Sequence, residues 1–219
     1  MSASAKIIQL QELLAARGLT TVERPRERFL AGWAGLDAAA GGGLPKGDLA
    51  ELNCRHGGAA LAVAELLQAA ERQRHFVALL DGSDSFDLES VSPAALARLL
   101  WVRCRNATEA VKAADLVLRD GNLPLVVLNL RSCTDVGRIP SQAWYRLQRI
   151  VEQSGCTLVV LTPRPSVTSA RVRLTLHRRF SMDDLDRELT ELVEGVTFEA
   201  TRVQGARVLP EETLMAEVG

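Results

Sequence analysis

The sequence predicts an α/β protein in which helices cover both faces of a mainly parallel sheet and antiparallel strands extend its C-terminal side. Two patterns lead to this fold class. Between residues 48 and 162, short runs rich in valine and leucine alternate with segments of helical periodicity, which is typical of parallel strands buried on both faces. After Pro165, strand-like segments follow one another with one acidic helical segment between them, which indicates an antiparallel extension.

The individual elements follow from these patterns in chain order. The strands predicted before Pro165 are 48–53, 75–81, 99–103, 123–130 and 156–162, and the helices between them are 59–73, 92–98, 107–119 and 141–153. The strands predicted after it are 171–179, 196–203 and 206–209. Strict alternation in segment 171–179 places Val172, Leu174 and Leu176 on one face and polar residues on the other.

The chain divides into an N-terminal arm over residues 1–28, one core domain over 29–209 and an acidic tail over 210–219. A helix is predicted within the arm, because Ile7, Leu10 and Leu14 share one face at helical spacing. Charged, proline-containing residues separate this helix from the core. Two placements stay open: the helix folds back onto its own core, or it docks on a neighbouring subunit.

Composition excludes several classes of function. The 219 residues carry a formal net charge of −1, so no overall field draws the chain to nucleic acid or to a membrane surface. The cysteines lie far apart without metal-ligand spacing, which favours buried, reduced thiols and predicts no metal or other cofactor. A secretory pattern and an apolar run of membrane-spanning length are both absent, so we expect a cytoplasmic protein without membrane contact.

Residues 41–61, GGGLPKGDLAELNCRHGGAAL, have the order of a phosphate-binding loop: a strand, a glycine-containing turn and a helix. A working loop continues with lysine and then serine or threonine, which reach the outer phosphates and Mg²⁺. Here Ala59 and Ala60 follow Gly58, and His56 is mostly neutral at pH 7. On these residues the turn is either a generic strand–turn–helix connection or a vestigial loop that binds no nucleotide, and we use the second name for it below. It comprises Arg55, His56, Gly57, Gly58, Ala59 and Ala60.

Two further polar groups could carry the chemistry of an enzyme. Asn129 ends an apolar strand where a nucleotide hydrolase usually has an aspartate that organises Mg²⁺, and a neutral amide is a poor ligand there. Asp81, Asp84 and Asp87 could act as acid and base, but their Gly/Ser-rich surroundings favour a solvated loop.

A row of basic side chains on segment 171–179 could form a binding surface. It consists of Arg171, Arg173, His177 and Arg179. Such a row could contact DNA phosphates or an acidic protein, or it could be the solvated face of an edge strand.

The order of these pieces resembles the RecA recombinase core over most of the chain. Residues 30–52, LAGWAGLDAAAGGGLPKGDLAEL, are similar to the segment that leads into the RecA phosphate-binding loop, and residues 146–165 are similar to a pattern of ImuA, a family of RecA-like proteins. The resemblance places Ser83 where RecA has its catalytic glutamate and Asn129 where it has its Mg²⁺-binding aspartate. It therefore implies that ATP hydrolysis is lost and that filament formation on DNA is not autonomous.

The resemblance to the ImuA family implies a non-enzymatic accessory protein of the SOS-type DNA-damage response. Members act with RecA, with the polymerase-like protein ImuB and with an error-prone polymerase in translesion synthesis and induced mutagenesis. We expect partner contacts through the arm helix and the basic row, with weak DNA contact. Two alternatives stay open: a cell-division inhibitor similar to SulA, and a nucleotide hydrolase with an unconventional loop.

Overall fold

The computed structural model describes residues 27–55, 57–177, 181, 184, 187 and 189–203. Within these residues the strands are β1 (Arg28–Phe29), β2 (Leu44–Pro45), β3 (Asp48–Asn53), β4 (Val77–Asp81), β5 (Leu99–Arg103), β6 (Leu125–Asn129), β7 (Thr157–Thr162), β8 (Val172–His177) and β9 (Thr197–Val203). The α-helices are α1 (Ala34–Ala39), α2 (Ala59–Arg72), α3 (Pro93–Leu96), α4 (Ala107–Asp120), α5 (Ser141–Ser154) and α6 (Leu189–Glu194).

The main sheet has seven strands in the order β5-β4-β6-β7-β3-β8-β9. Neighbouring strands are parallel from β5 to β8, and β9 pairs antiparallel with β8. A separate ribbon of β1 and β2 lies outside this sheet. The α/β fold class with a mostly parallel sheet is therefore confirmed. Of the C-terminal strands predicted to be antiparallel, β8 is parallel to β3, and β9 is antiparallel to β8.

Two apolar layers enclose the sheet, because successive strand residues point to opposite faces. Val77 and Leu79 of β4 join the layer formed with α2, whereas Ala78 and Leu80 join the layer formed with α4 and α5. Each buried leucine contributes about 1.5 to 3 kcal/mol relative to an exposed one. This two-sided burial explains why the central strands are apolar almost without interruption.

The segment that leads into β3 is fixed by one carboxylate and a run of glycines. The Asp37 carboxylate accepts hydrogen bonds of 2.9 Å from the backbone N–H groups of Ala31 and Gly32. The backbone carbonyl oxygen of Asp37 accepts hydrogen bonds from the N–H groups of Gly42 and Gly43, at 2.7 and 2.9 Å. These bonds hold the chain in a turn, so that β2 pairs antiparallel with β1. The turn thereby sets the position at which β3 enters the sheet.

Most predicted element positions agree with the structure to within two residues, but the alternative that segment 171–179 is an edge strand is wrong. Strand β8 is not at the edge of the sheet, because β9 covers the side that faces away from β3. Val172, Leu174 and Leu176 are buried as predicted. The arm helix with Ile7, Leu10 and Leu14, the strand 206–209 and the tail 210–219 lie outside the described residues.

The glycine run generates a stability prediction. Gly43 has a φ of +112°, and a Cβ built on it would lie 2.9 Å from the carbonyl oxygen of Phe29. We expect Gly43→Ala to lower the free energy of unfolding by about 2 to 4 kcal/mol, because backbone strain and overpacking act together. Urea denaturation measures this change.

Gly155→Ala is the matched control, since Gly155 has a φ of +71° and open space around its added Cβ. Left-handed strain alone predicts a loss of about 1 kcal/mol there. Equal losses for the two variants would contradict the account of the glycine run.

Candidate functional site

The loops that follow the parallel strands meet at the carboxyl edge of the sheet, where open α/β sheets commonly bind ligands. The vestigial loop joins β3 to α2 at this edge. The backbone N–H of Cys54 donates to the carbonyl oxygen of Thr162 at 2.9 Å, and the N–H of Gly57 donates to the carbonyl oxygen of Cys54 at 3.1 Å. Gly57 and Gly58 have φ values of +110° and +78°, and α2 begins at Ala59. His56 lies outside the described residues.

Arg131, which no sequence pattern singled out, lies against the vestigial loop. Its Nε donates to the carbonyl oxygen of Cys54 at 2.6 Å, and a terminal guanidinium nitrogen donates to the carbonyl oxygen of Arg55 at 3.3 Å. A phosphate-binding loop presents backbone N–H groups to its ligand. These two carbonyl groups instead present acceptor oxygens to a cation, which is the opposite polarity.

Asn129 connects Arg131 to a buried carboxylate. The side-chain oxygen of Asn129 accepts from the backbone N–H of Arg131 at 3.3 Å, and its NH₂ group donates to Asp81 at 3.3 Å and to the Ser85 hydroxyl at 3.2 Å. Asp81 and Asn129 are register partners on β4 and β6. The Asn129 amide is therefore part of an internal hydrogen-bond network.

The three aspartates after β4 have separate partners. Asp81 is fully buried and accepts from the backbone N–H groups of Ser85 and Phe86 at 2.7 and 2.8 Å, so a solvated loop is the wrong description of this residue. Asp84 pairs with Arg103 through two bonds of 2.6 Å, and Asp87 accepts from the N–H of Glu89. The structure thus gives each carboxylate its own partners in the loop or on β5.

A cleft of about 210 Å³ lies between the first turn of α2 and the end of β6. Its walls include the methyl groups of Ala59 and Ala60, together with Asn129 and Arg131. Ser83 does not line this cleft; its hydroxyl lies 3.1 Å from that of Ser85. Among the described residues, no group of three or more His, Cys, Asp or Glu side chains is placed to hold a metal ion.

The four cysteines are buried, as predicted: Cys54, Cys104, Cys133 and Cys156. Burial raises the pKa of the Cys54 thiol to about 12, although the nearby charge of Arg131 acts in the opposite direction. Because the thiolate is the reactive form, Cys54 is a poor nucleophile at neutral pH.

Two members of the basic row have acidic partners inside the protein. Arg173 Nε lies 2.6 Å from Glu51 Oε2, and Arg171 Nε lies 3.4 Å from Asp48 Oδ2. Glu51 and Asp48 are fully buried on β3. Residues Asp48 and Glu51 were missed in the sequence, although charged residues within the apolar run DLAELN were a usable signal for buried partners.

The other two members of the row differ from these arginines. His177 Nε2 lies 2.8 Å from Glu199 Oε2 on the neighbouring β9, and Arg179 lies outside the described residues. DNA contact by the row stays a prediction. For such contact, the guanidinium groups of Arg171 and Arg173 would have to bind DNA phosphates while each stays paired with a buried carboxylate.

Exposed arginines lie instead in the loops at the carboxyl edge. None of them forms an ion pair with another residue in the described ranges. They are Arg55, Arg105, Arg138 and Arg164. These side chains follow β3, β5, β6 and β7, whose carboxyl ends share one side of the sheet. They place four positive charges at that edge, although the whole chain has a net charge of −1.

An apolar groove of about 450 Å³ lies between α4 and α5. Val111, Leu116, Ile139 and Leu147 line it, and Leu116 is 71% exposed. An exposed leucine on the rim of an apolar groove is typical of a surface that binds another protein.

Asp115 ties the two helices of this groove together. It lies 2.5 Å from Arg146 on α5 and 3.0 Å from Arg119 on its own helix. Burial acts to raise the pKa of Asp115, but the hydrogen bonds and charges of Arg146 and Arg119 together outweigh burial and hold this pKa below its usual value.

Comparison with known proteins gives no relative. No protein-family model matches the chain, and no curated protein matches it in a sequence search. Within the described residues, no helix combines the length and apolar character that a membrane crossing requires.

The buried pair on β3 and β8 generates a second stability prediction. Glu51 accepts from the Thr162 hydroxyl, from the N–H groups of Ser166 and Val167, and from Arg173. We expect Glu51→Ala to lower the free energy of unfolding by about 3 to 5 kcal/mol, because it leaves a buried guanidinium without its counter-charge. Chemical denaturation measures the loss.

Glu89→Ala is the control, because Glu89 is exposed and a surface change of this kind is expected within about 0.5 kcal/mol of wild type. Should Glu51→Ala not fold, Glu51→Gln, which keeps the shape and removes the charge, gives the same test. A loss below about 1 kcal/mol in these variants would show that the pair does not hold β8 in place.

The lowered pKa of Asp115 predicts a pH dependence. A carboxyl group with a depressed folded-state pKa adds stability above its unfolded-state pKa, about 3.9, and this stability disappears as the pH falls through the folded-state pKa. Asp115→Asn should therefore melt below wild type at pH 7, and the difference should close below about pH 4. Melting temperatures of both proteins between pH 3 and pH 7 provide the measurement, and a difference that stays constant would contradict it.

Proposed function

We propose that this chain is a non-catalytic, RecA-like accessory protein of the ImuA type. It acts with RecA, with an ImuB-type polymerase-like protein and with an error-prone polymerase in translesion synthesis and induced mutagenesis. In this proposal it works in the cytoplasm and joins the nucleoid during DNA damage. The observation that carries the proposal is the vestigial loop, whose carbonyl groups are bonded to the guanidinium of Arg131.

Electrostatics supports the non-catalytic part of the proposal. A nucleoside triphosphate is held by a loop lysine, by Mg²⁺ and by backbone N–H groups, which together offset its charge. In this chain the lysine and hydroxyl positions hold the methyl groups of Ala59 and Ala60, and the metal position holds the amide of Asn129. The carbonyl groups of Cys54 and Arg55 are bonded to Arg131 and can donate nothing to phosphate, so this part of the loop lacks the N–H donors of a phosphate-binding loop.

A protein that has lost turnover acts through its surfaces, and the groove between α4 and α5 is the one we assign to a protein partner. Its apolar wall offers a partner area to bury. Val111 and Leu147 form its floor, and Leu116 stands at its rim. A recombinase subunit held here would be capped rather than extended, because the chain lacks the nucleotide that a further filament contact requires.

Nucleic acid enters the proposal only as a weak contact. The exposed arginines at the carboxyl edge are better placed for phosphate than Arg171 and Arg173, whose charges face buried carboxylates. Sequence-independent contact of this kind falls steeply with salt concentration. It would orient the protein on a filament without setting its specificity.

The proposal predicts a change in RecA filaments and a variant that abolishes it. RecA is assembled on single-stranded DNA with ATP, and its filament length and disassembly rate are measured as this protein is added. We expect the wild-type protein to shorten or stabilise the filaments. Leu116→Glu should weaken the effect by about tenfold or more, because a charge must then be buried in an apolar groove.

Leu88→Glu is the matched control, since Leu88 is an exposed leucine that does not line the groove. It should act like wild type. Filaments that stay unchanged at saturating wild-type protein would contradict the proposed function. An effect that survives Leu116→Glu would contradict the groove as the contact surface.

A further inference from the structure

We infer that Arg131 is a latch that holds the β3–α2 loop in one closed conformation, a task that bound nucleotide performs in a working phosphate-binding loop. The inference does not depend on any partner or on the proposed function. It concerns the loop that follows β3 and the loop that follows β6, which are 76 and 77 residues apart along the chain at their points of contact.

The latch is built from charge-assisted hydrogen bonds. Arg131 Nε donates to the Cys54 carbonyl oxygen at 2.6 Å, and a second nitrogen reaches the Arg55 carbonyl oxygen at 3.3 Å. Hydrogen bonds to an ionised group are shorter and stronger than those between neutral groups. The planar guanidinium offers several donors in a fixed arrangement, so one side chain can satisfy two successive carbonyl groups.

The base of the latch is itself fixed. The backbone N–H of Arg131 donates to the side-chain oxygen of Asn129, and the Asn129 NH₂ group donates to the buried Asp81. The backbone of Arg131 is therefore anchored to β4 and β6, and its side chain extends from this fixed point to the loop. This anchoring limits the entropy that the long side chain loses on forming the contact.

From outside, the loop is also bonded to β7 through neutral groups, because the backbone N–H of Cys54 donates to the carbonyl oxygen of Thr162 at 2.9 Å. The contacts within it are the Gly57 to Cys54 backbone bond and the bond from the N–H of Arg55 to the Asn53 side chain at 3.2 Å. Its two glycines have positive φ values and add conformational freedom that the folded state must overcome. The latch therefore supplies the strongest contact that the described residues give this loop from outside.

The test is amide hydrogen exchange of the full chain, read by mass spectrometry on peptides that cover residues 53–60. The N–H groups of Cys54 and Gly57 are the reporters, because both are bonded in the closed loop. We expect Arg131→Met to accelerate exchange there by about tenfold or more, since a charge-assisted contact is lost. Arg131→Lys should give an intermediate rate, because an ammonium group can reach one carbonyl but lacks the fork of the guanidinium.

Arg138→Met is the matched control, because Arg138 lies on the same segment and is exposed without an ion pair among the described residues. Its loop exchange should equal that of wild type. Exchange that is unchanged in Arg131→Met, or equally accelerated in Arg138→Met, would overturn the inference. Should Arg131→Met not fold, Arg131→Lys decides the question: faster exchange over residues 53–60 supports the latch, and wild-type exchange overturns it.

Discussion

The contact between a guanidinium group and two backbone carbonyls is the constraint on which this account depends. It fixes the orientation of two carbonyl groups in the loop between β3 and α2, because the oxygens of Cys54 and Arg55 are directed at the guanidinium of Arg131. Methyl groups replace the lysine and hydroxyl on the helix side of the same cleft. The cleft therefore lacks a lysine and a hydroxyl on its helix side, and two carbonyl groups of the adjoining loop are bonded to Arg131.

The charged side chains of β3 are paired with arginines of β8 and take no part in this site. Glu51 and Asp48 stand on the central strand, where an unpaired carboxylate would cost several kcal/mol, and β8 supplies Arg173 and Arg171 to them. The same pairing uses the arginines that the sequence suggested for DNA. The contacts that we propose therefore use the groove between α4 and α5 and the arginines of the carboxyl-edge loops.

The sequence predicted the elements well and the site only in part. Periodicity is a local property, so the bounds of β3 and α2 and the buried face of Val172, Leu174 and Leu176 could be read directly. That Ala59 and Ala60 follow Gly58, where a working phosphate-binding loop has a lysine and a hydroxyl, is also a local property of the sequence. The order of strands is not local, and it decides that β8 is covered by β9. Arg131 could not be identified, because it acts on carbonyl groups 76 and 77 residues away.

The most direct test of the central claim is the melting temperature of the full chain, measured with and without millimolar ATP and Mg²⁺. A ligand present at 100 times its dissociation constant adds about 2.7 kcal/mol to the free energy of unfolding, a shift that is easily detected in a protein of this size. The account predicts no shift at any ATP concentration up to several millimolar. A saturable increase that requires Mg²⁺ would show that the loop still binds nucleotide and would contradict it.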